Sequence, residues 1–216
     1  MIIRIPISVA TICALLWLWL PGASAAITQS EPGDRDAPRC NQDIVGTIQK
    51  NAEAGDAEAQ FVIAQLLASG HCMPLSMGDA LNWLERAAKA GHLEAAYQLS
   101  VHFVTEKDEE SRAIPFLRTA AQAGHSQAQH LLGLILLGPD AAPEQQQQGL
   151  YWLGSAASED SGFSALVLGQ LHERGMLGVP RNVCLALDWY EASHLTGSPD
   201  AAGYSKRLLS KIDREC

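Results

Sequence analysis

The amino-acid sequence predicts an all-α fold: a right-handed α-α superhelix, or solenoid, of about four and a half helix pairs, disulfide-clamped at both ends. Three observations predict it. The word "AKAGH" at Ala88 returns as "AQAGH" at Ala121, and the pattern A-x-x-G also opens at Ala52, so that Gly55, Gly91 and Gly124 stand 36 and 33 residues apart. An aromatic track of Trp83, Phe116, Trp152 and Trp189 advances by 33, 36 and 37, each member lying just before a small pair, "AA" or "AS". Two cysteine pairs, Cys40 with Cys72 and Cys184 with Cys216, are each spaced by 32, the second lying 144 residues after the first. A fixed period of this length marks stacked repeats.

From the N-terminus, the elements read as follows. Residues 1–25 run from "MIIR" through the apolar "VATICALLWLWL" to Pro21, Gly22 and small residues, the layout of a secretory signal peptide with an A-x-A site that predicts cleavage after Ala25. The apolar stretch is shorter than the roughly 20 residues of a membrane span, so no stable membrane insertion is expected after cleavage. Cys13 follows Thr11 and Ile12 rather than small residues, which argues against a lipid-bearing cysteine. Residues 26–39, polar and proline-containing, read as a disordered leader. Without the signal segment, 14 basic residues face 24 acidic ones, and an acidic chain repels nucleic acid and anionic lipid.

The repeat domain is expected over 40–216, with repeats at about 52–87, 88–120, 121–156 and 157–193 and a partial one at 194–216. A first helix should begin near Asn41. Helix pairs should then start near Asp56, Leu93, Ser126, Phe163 and Pro199. Ala95, Leu99 and Phe103 are spaced by four, one helical face, and Ala113, Phe116, Leu117 and Ala120 give the face of the next helix. The fourth turn glycine is replaced by Asp160, while Gly197 restores it. Leu99, Leu132 and Leu168 precede the small residues Ser100, Gly133 and Gly169, which let neighbouring backbones approach. The run "EQQQQ" after Pro143 is expected to form a solvated first helical turn.

The two cysteine pairs occupy equivalent repeat positions, each joining the start of a second helix to the end of the next first helix. Antiparallel helices place those ends together, which favours the bridges Cys40–Cys72 and Cys184–Cys216. Reduced thiols or a metal site are the alternatives, the latter with no C-x-x-C or close Cys/His spacing expected to support it. Each bridge closes a loop long enough to stabilise by about 3 to 4 kcal/mol, at repeats that lack one neighbour. Disulfides and signal peptide together predict a periplasmic or secreted location.

No S-x-x-K, G-x-S-x-G, H-E-x-x-H or phosphate-binding glycine loop occurs, so no catalytic residue, metal or cofactor is assigned. His92 and His125 follow the turn glycine in successive repeats and read as polar helix-start residues. His102, His130, His172 and His194 fall at unrelated repeat positions. The periodic tryptophans read as interhelix packing rather than an aromatic cage.

What remains is surface. In helical-pair solenoids the first helices line the concave side, and positions 3, 7, 10 and 14 after the turn form a stripe beside the packed 4, 8, 12 stripe. These are Glu58, Val62, Gln65 and Ser69; Glu94, Gln98, Val101 and Thr105; Gln127, Leu131 and Leu134; and Phe163, Val167, Gln170 and Arg174. An apolar floor with polar neighbours suits a peptide or protein partner.

The stretch "LGQLHERGMLGVPRNVCLALDWYEAS", from Leu168 to Ser193, resembles a Sel1-like, TPR-like repeat through Leu168, Gly169, Gly175, Gly178, Val179, Ala186 and Trp189. The other copies are worn, and the likeness runs from Ala52 to Ile212. It implies a non-catalytic, monomeric interaction scaffold of a secreted bacterial kind. Cysteine-rich secreted members are also linked to penicillin binding and β-lactam hydrolysis, the alternative function. Those relatives carry two cysteines within each repeat, whereas here the cysteines clamp only the ends.

Overall fold

The computed structural model describes residues 40–106, 109–159, 161–196, 198 and 200–210. The signal segment, the leader, Pro199 and Cys216 lie outside the described residues. Ten α-helices and no strands are found among those described: α1 Gln42–Glu53, α2 Ala57–Ser69, α3 Met77–Lys89, α4 Leu93–Thr105, α5 Glu110–Gln122, α6 Ser126–Leu136, α7 Pro143–Ser158, α8 Gly162–Arg174, α9 Val183–Leu195 and α10 Ala201–Leu209. None is long and apolar enough to cross a membrane. The helix starts fall within two residues of those expected from the repeat pattern. The chain divides into two compact units, one ending at Ala113 and the other beginning at Ile114.

One turn recurs between pairs, and its chemistry explains the repeated word. After α1, α3 and α5 the chain passes through Gly55, Gly91 and Gly124 at φ values of 100°, 93° and 87°, a left-handed conformation that only glycine adopts without strain. The residue after each glycine then returns its backbone N–H to a carbonyl five residues back: Asp56 to Asn51, His92 to Ala87 and His125 to Ala120. Its side chain caps the next helix. Asp56 Oδ1 accepts from Ala59 N–H at 2.8 Å, His92 Nδ1 from Ala95 N–H at 3.1 Å and His125 Nδ1 from Ala128 N–H at 3.2 Å. Ser161 repeats the arrangement before α8, with its N–H on Ala156 O and its Oγ facing Ser164 N–H. Each cap satisfies a donor that the helix start leaves orphaned.

In the first unit, α1 packs on α2, α2 on α3 and α3 on α4. The core gathers Ala52, Ala59, Ile63, Leu67 and Ala80, with Ile48, Met73 and Trp83 packed against it. The amide of buried Gln60 donates from Nε2 to Ala52 O at 3.0 Å, tying α2 to the end of α1. Cys40 is bonded to Cys72 across a Cα–Cα distance of 5.2 Å, which staples the start of α1 to the loop after α2 as the spacing predicted. Cys184 is also disulfide-bonded; its expected partner, Cys216, lies outside the described residues.

In the second unit the stacked neighbours are α6 and α7, α7 and α8, α8 and α9, and α9 and α10. Gln129 repeats the Gln60 contact, Nε2 donating to Ala121 O at 3.1 Å. The Gln-rich run opens α7 and is mainly exposed. Its amides cap the helix, Gln145 Oε1 accepting from Ala142 N–H at 2.9 Å. At the C-terminal side, Tyr190 is fully buried and donates its hydroxyl to Glu173 Oε2 at 2.6 Å. The Arg207 Nη2 bonds both Glu173 oxygens, at 3.0 and 2.9 Å, so one carboxylate joins α8, α9 and α10. Burial and that hydrogen bond hold the Tyr190 proton far above the ordinary phenol range.

Nine residues after the turn stands a small residue in each of the four full repeats: Ala64, Ser100, Gly133 and Gly169, all buried. A Cβ on Gly133 would meet Leu153 Cγ at 2.8 Å and the backbone oxygen of Gly149 at 3.0 Å, and one on Gly169 would meet the Tyr190 ring at 2.5 Å. The close helix approach thus depends on the missing side chain. Gly154, with nothing within 4 Å of such a Cβ, is the natural control. Thermal denaturation should show Gly133→Ala less stable by about 1 to 3 kcal/mol, while Gly154→Ala is neutral or gains up to about 1 kcal/mol from helix propensity.

Candidate functional site

The packed and exposed faces of the first helices follow from one register. Positions 4, 8 and 12 after the turn are core: Ala59, Ile63 and Leu67 on α2; Ala95, Leu99 and Phe103 on α4; Ala128, Leu132 and Leu136 on α6. The neighbouring stripe faces solvent in part. In the first unit, Glu58, Gln65, Ser69 and Thr105 are exposed, and Val62, Glu94, Gln98 and Val101 are half-buried. Polar side chains there pair along the surface, Gln98 Nε2 donating to Glu94 Oε1 at 2.8 Å.

His92 links the stripe to the turn. Because its Nδ1 accepts the Ala95 N–H, the ring proton sits on Nε2, which donates to Glu58 Oε2 at 3.0 Å. The ring also stacks on Phe61, centroids 4.3 Å apart. Both nitrogens are therefore committed to structure, as a helix-start reading of His92 implies.

In the second unit, Gln127 and Arg174 are exposed, and Leu134, Val167 and Gln170 are half-buried. Phe163 is 50% exposed, unusual for an aromatic side chain on a first helix. Leu131 departs from expectation: at 6% exposure it belongs to the core and offers no binding surface. Position 7 lies one turn from packed position 4, on the same side of the helix, so it borders the core; Val62 and Gln98 are half-buried there and Leu131 is buried.

Sequence spacing missed one polar cluster. His130 Nδ1 lies 2.7 Å from Ser164 Oγ, which lies 3.0 Å from Ser161 Oγ. The partners are 34 residues apart, one repeat, and that offset was the available signal. A Ser–His contact invites comparison with a nucleophile and its base, but Ser164 is fully buried and a substrate would have no path to its oxygen. Burial pushes the His130 pKa down to about 4, so the ring is neutral at pH 7.

Trp83 packs against the first-unit core with Arg86 4.0 Å above its ring, and Trp152 meets its neighbour Tyr151 edge-on at 5.0 Å. Among the described residues one group could hold a metal ion, Cys40, His71 and Cys72, with ligand atoms within 4.8 Å of one another. This corrects the expectation that no close Cys/His spacing exists: His71 is adjacent to Cys72 in the chain, and the bridge brings Cys40 to the pair.

The Sel1 repeat family model matches residues 57–92, 126–161 and 163–193. The structure resembles that of a Sel1 repeat protein from Oxalobacter formigenes, with a TM-score of 0.64 and 28% identity over 79% of this chain and 50% of that one. It also resembles a protective antigen present in uropathogenic Escherichia coli strains, with a TM-score of 0.68 and 26% identity over 79% of this chain and 37% of that one. A curated relative is DAP3-binding cell death enhancer 1 of Rattus norvegicus, 33% identical over 102 residues, 47% of this chain and 19% of that protein. The chain spans about a fifth to a third of the length of the curated relatives it matches.

The low pKa of His130 has a measurable consequence. Its folded-state value lies below the ordinary 6.5, so between those two values the unfolded chain binds the extra proton and stability falls as the pH falls. Urea unfolding should show up to about 3 kcal/mol lost between pH 7 and pH 4 in the wild type that is absent in His130→Gln. Parallel pH profiles for the two proteins would contradict the assignment.

Proposed function

Because this chain is a Sel1 repeat protein, and such proteins generally mediate protein–protein interaction, we propose that it is a non-catalytic scaffold that holds a peptide or protein partner on its first-helix stripe. The observation that carries the reading is the split register of those helices. Positions 4, 8 and 12 are consumed by the core, while positions 3, 7, 10 and 14 leave valines, amides, carboxylates, Phe163 and Arg174 at the surface. Half-buried apolar side chains flanked by polar ones form the composition of a protein contact.

Three of the polar groups that a reaction could be imagined to use are engaged in structure. His92 and His125 cap helices, and Ser164 is sealed inside the second unit. These commitments favour a scaffold over β-lactam hydrolysis, the alternative function.

The protein is further proposed to work in an oxidising compartment, periplasmic or extracellular, after loss of residues 1–25. The Cys40–Cys72 bridge supports this, because such bonds persist where glutathione does not reduce them.

Binding hot spots favour desolvated aromatic and arginine side chains, so Phe163 and Arg174 should dominate, with Gln170 and Val167 adding area. Once a partner has been captured by crosslinking from its native surroundings, calorimetry should find Phe163→Ala and Arg174→Ala each weaker by about 1 to 2 kcal/mol, with helical content unchanged. Asn82→Ala, on the exposed side of α3, should bind as the wild type does. Unchanged affinity in both stripe variants, together with loss in Asn82→Ala, would place the contact on the second helices instead. Nitrocefin turnover above background, abolished by one polar substitution, would replace the scaffold reading with the enzymatic one.

A further inference from the structure

We propose that Cys40, His71 and Cys72 form a redox-gated zinc site, closed while the disulfide stands and opened when a dithiol reduces it. Reduction of the Cys40–Cys72 bridge would leave a Cys₂His donor set, whose three ligand atoms already lie within 4.8 Å of one another. In a tetrahedral site with Zn–S near 2.3 Å and Zn–N near 2.0 Å, ligand atoms stand about 3.5 to 3.8 Å apart. The imidazole would have to close in on the sulfurs, from within 4.8 Å. The sulfurs need only part to a nonbonded contact.

The site survives loss of the covalent bond because each part is held separately. Cys40 adjoins Asn41, whose Oδ1 caps α1 by accepting the N–H groups of Asp43 and Ile44, and α1 is seated on α2 through Ala52 and Ile48. On the other side, Gly70 ends α2 in the left-handed region at φ 70°, His71 N–H donates to Ser69 Oγ at 3.3 Å, and Met73 is packed into the core. The loop then closes with Ser76 N–H on Leu67 O at 3.0 Å. Between these anchors Cys72 itself sits at φ 62°, a left-handed conformation that a side-chain-bearing residue rarely adopts. It is the conformation that turns Cys72 toward Cys40 with His71 alongside.

The chemistry balances. A dithiol reductant supplies two electrons and two protons, the sulfur–sulfur bond breaks to two thiols, and the reductant leaves as a disulfide. Zinc then displaces one proton from each thiol, and the two thiolates neutralise its charge, with the neutral imidazole as third ligand. Thiolates and imidazole suit this ion, whereas a disulfide sulfur is a poor donor. His71 is exposed, so the ion has a route in and water can take the fourth position.

The test is an anaerobic Zn²⁺ titration of the full chain against a chromophoric chelator, in oxidised and reduced forms, with circular dichroism alongside. Reduced Cys72→Ser reports whatever the remaining cysteines bind. The expected result is no binding to the oxidised wild type, one more ion on the reduced wild type than on reduced Cys72→Ser, and at least tenfold weaker binding in reduced His71→Ala. Equal stoichiometry in reduced wild type and Cys72→Ser, or unchanged affinity in His71→Ala, would overturn the proposal. So would a reduced chain that loses its helices and does not regain them with zinc.

Discussion

Everything in this chain depends on one turn. A second helix ends, a glycine crosses into the left-handed region, and the next residue sends its backbone N–H five residues back while its side chain caps the helix that follows. The turn fixes where each first helix begins and therefore which residues it buries. Aspartate, histidine and serine all serve as the cap, because the requirement is an acceptor atom at the right reach rather than a particular side chain. The two histidines that look most like a functional pair, His92 and His125, are products of this constraint.

The second constraint is proximity. A small residue nine positions after the turn brings the following helix close, and the repeats meet the demand differently: Ala64 and Ser100 in one unit, Gly133 and Gly169 in the other. Where the side chain is a hydroxyl it is also used, Ser100 Oγ donating to Ala96 O at 2.7 Å. Where it is missing altogether, the space is filled from the facing helix by Leu153 or by the Tyr190 ring. Tyr190 then needs a polar partner for its buried hydroxyl, and Glu173 supplies it while binding Arg207. A packing choice at Gly169 thus propagates into a polar network that ties three helices.

Much of this was legible in the sequence, because periodicity reports backbone geometry and burial together. The helix starts, the packed stripe of Ala95, Leu99 and Phe103 and the Cys40–Cys72 bridge follow from spacing, and the solvated first turn after Pro143 from local composition. What spacing could not show were contacts set by side-chain reach. Leu131 holds a stripe position yet turns into the core. His130 finds Ser164 one repeat away, and His71 stands beside a cysteine pair whose 32-residue interval says nothing of a neighbouring imidazole. Each depends on where a rotamer points, which a one-dimensional period does not encode.

The claim that function resides in the first-helix stripe is tested most directly by site-specific photocrosslinking in the native cell, one probe at a time, at Phe163 and Gln170 on α8 and at Tyr151 on α7. All three can hold a probe at the surface, Tyr151 being 66% exposed. The account predicts one discrete adduct of the same partner from positions 163 and 170 and none from 151. An adduct from 151 with silence at 163 and 170 would contradict it.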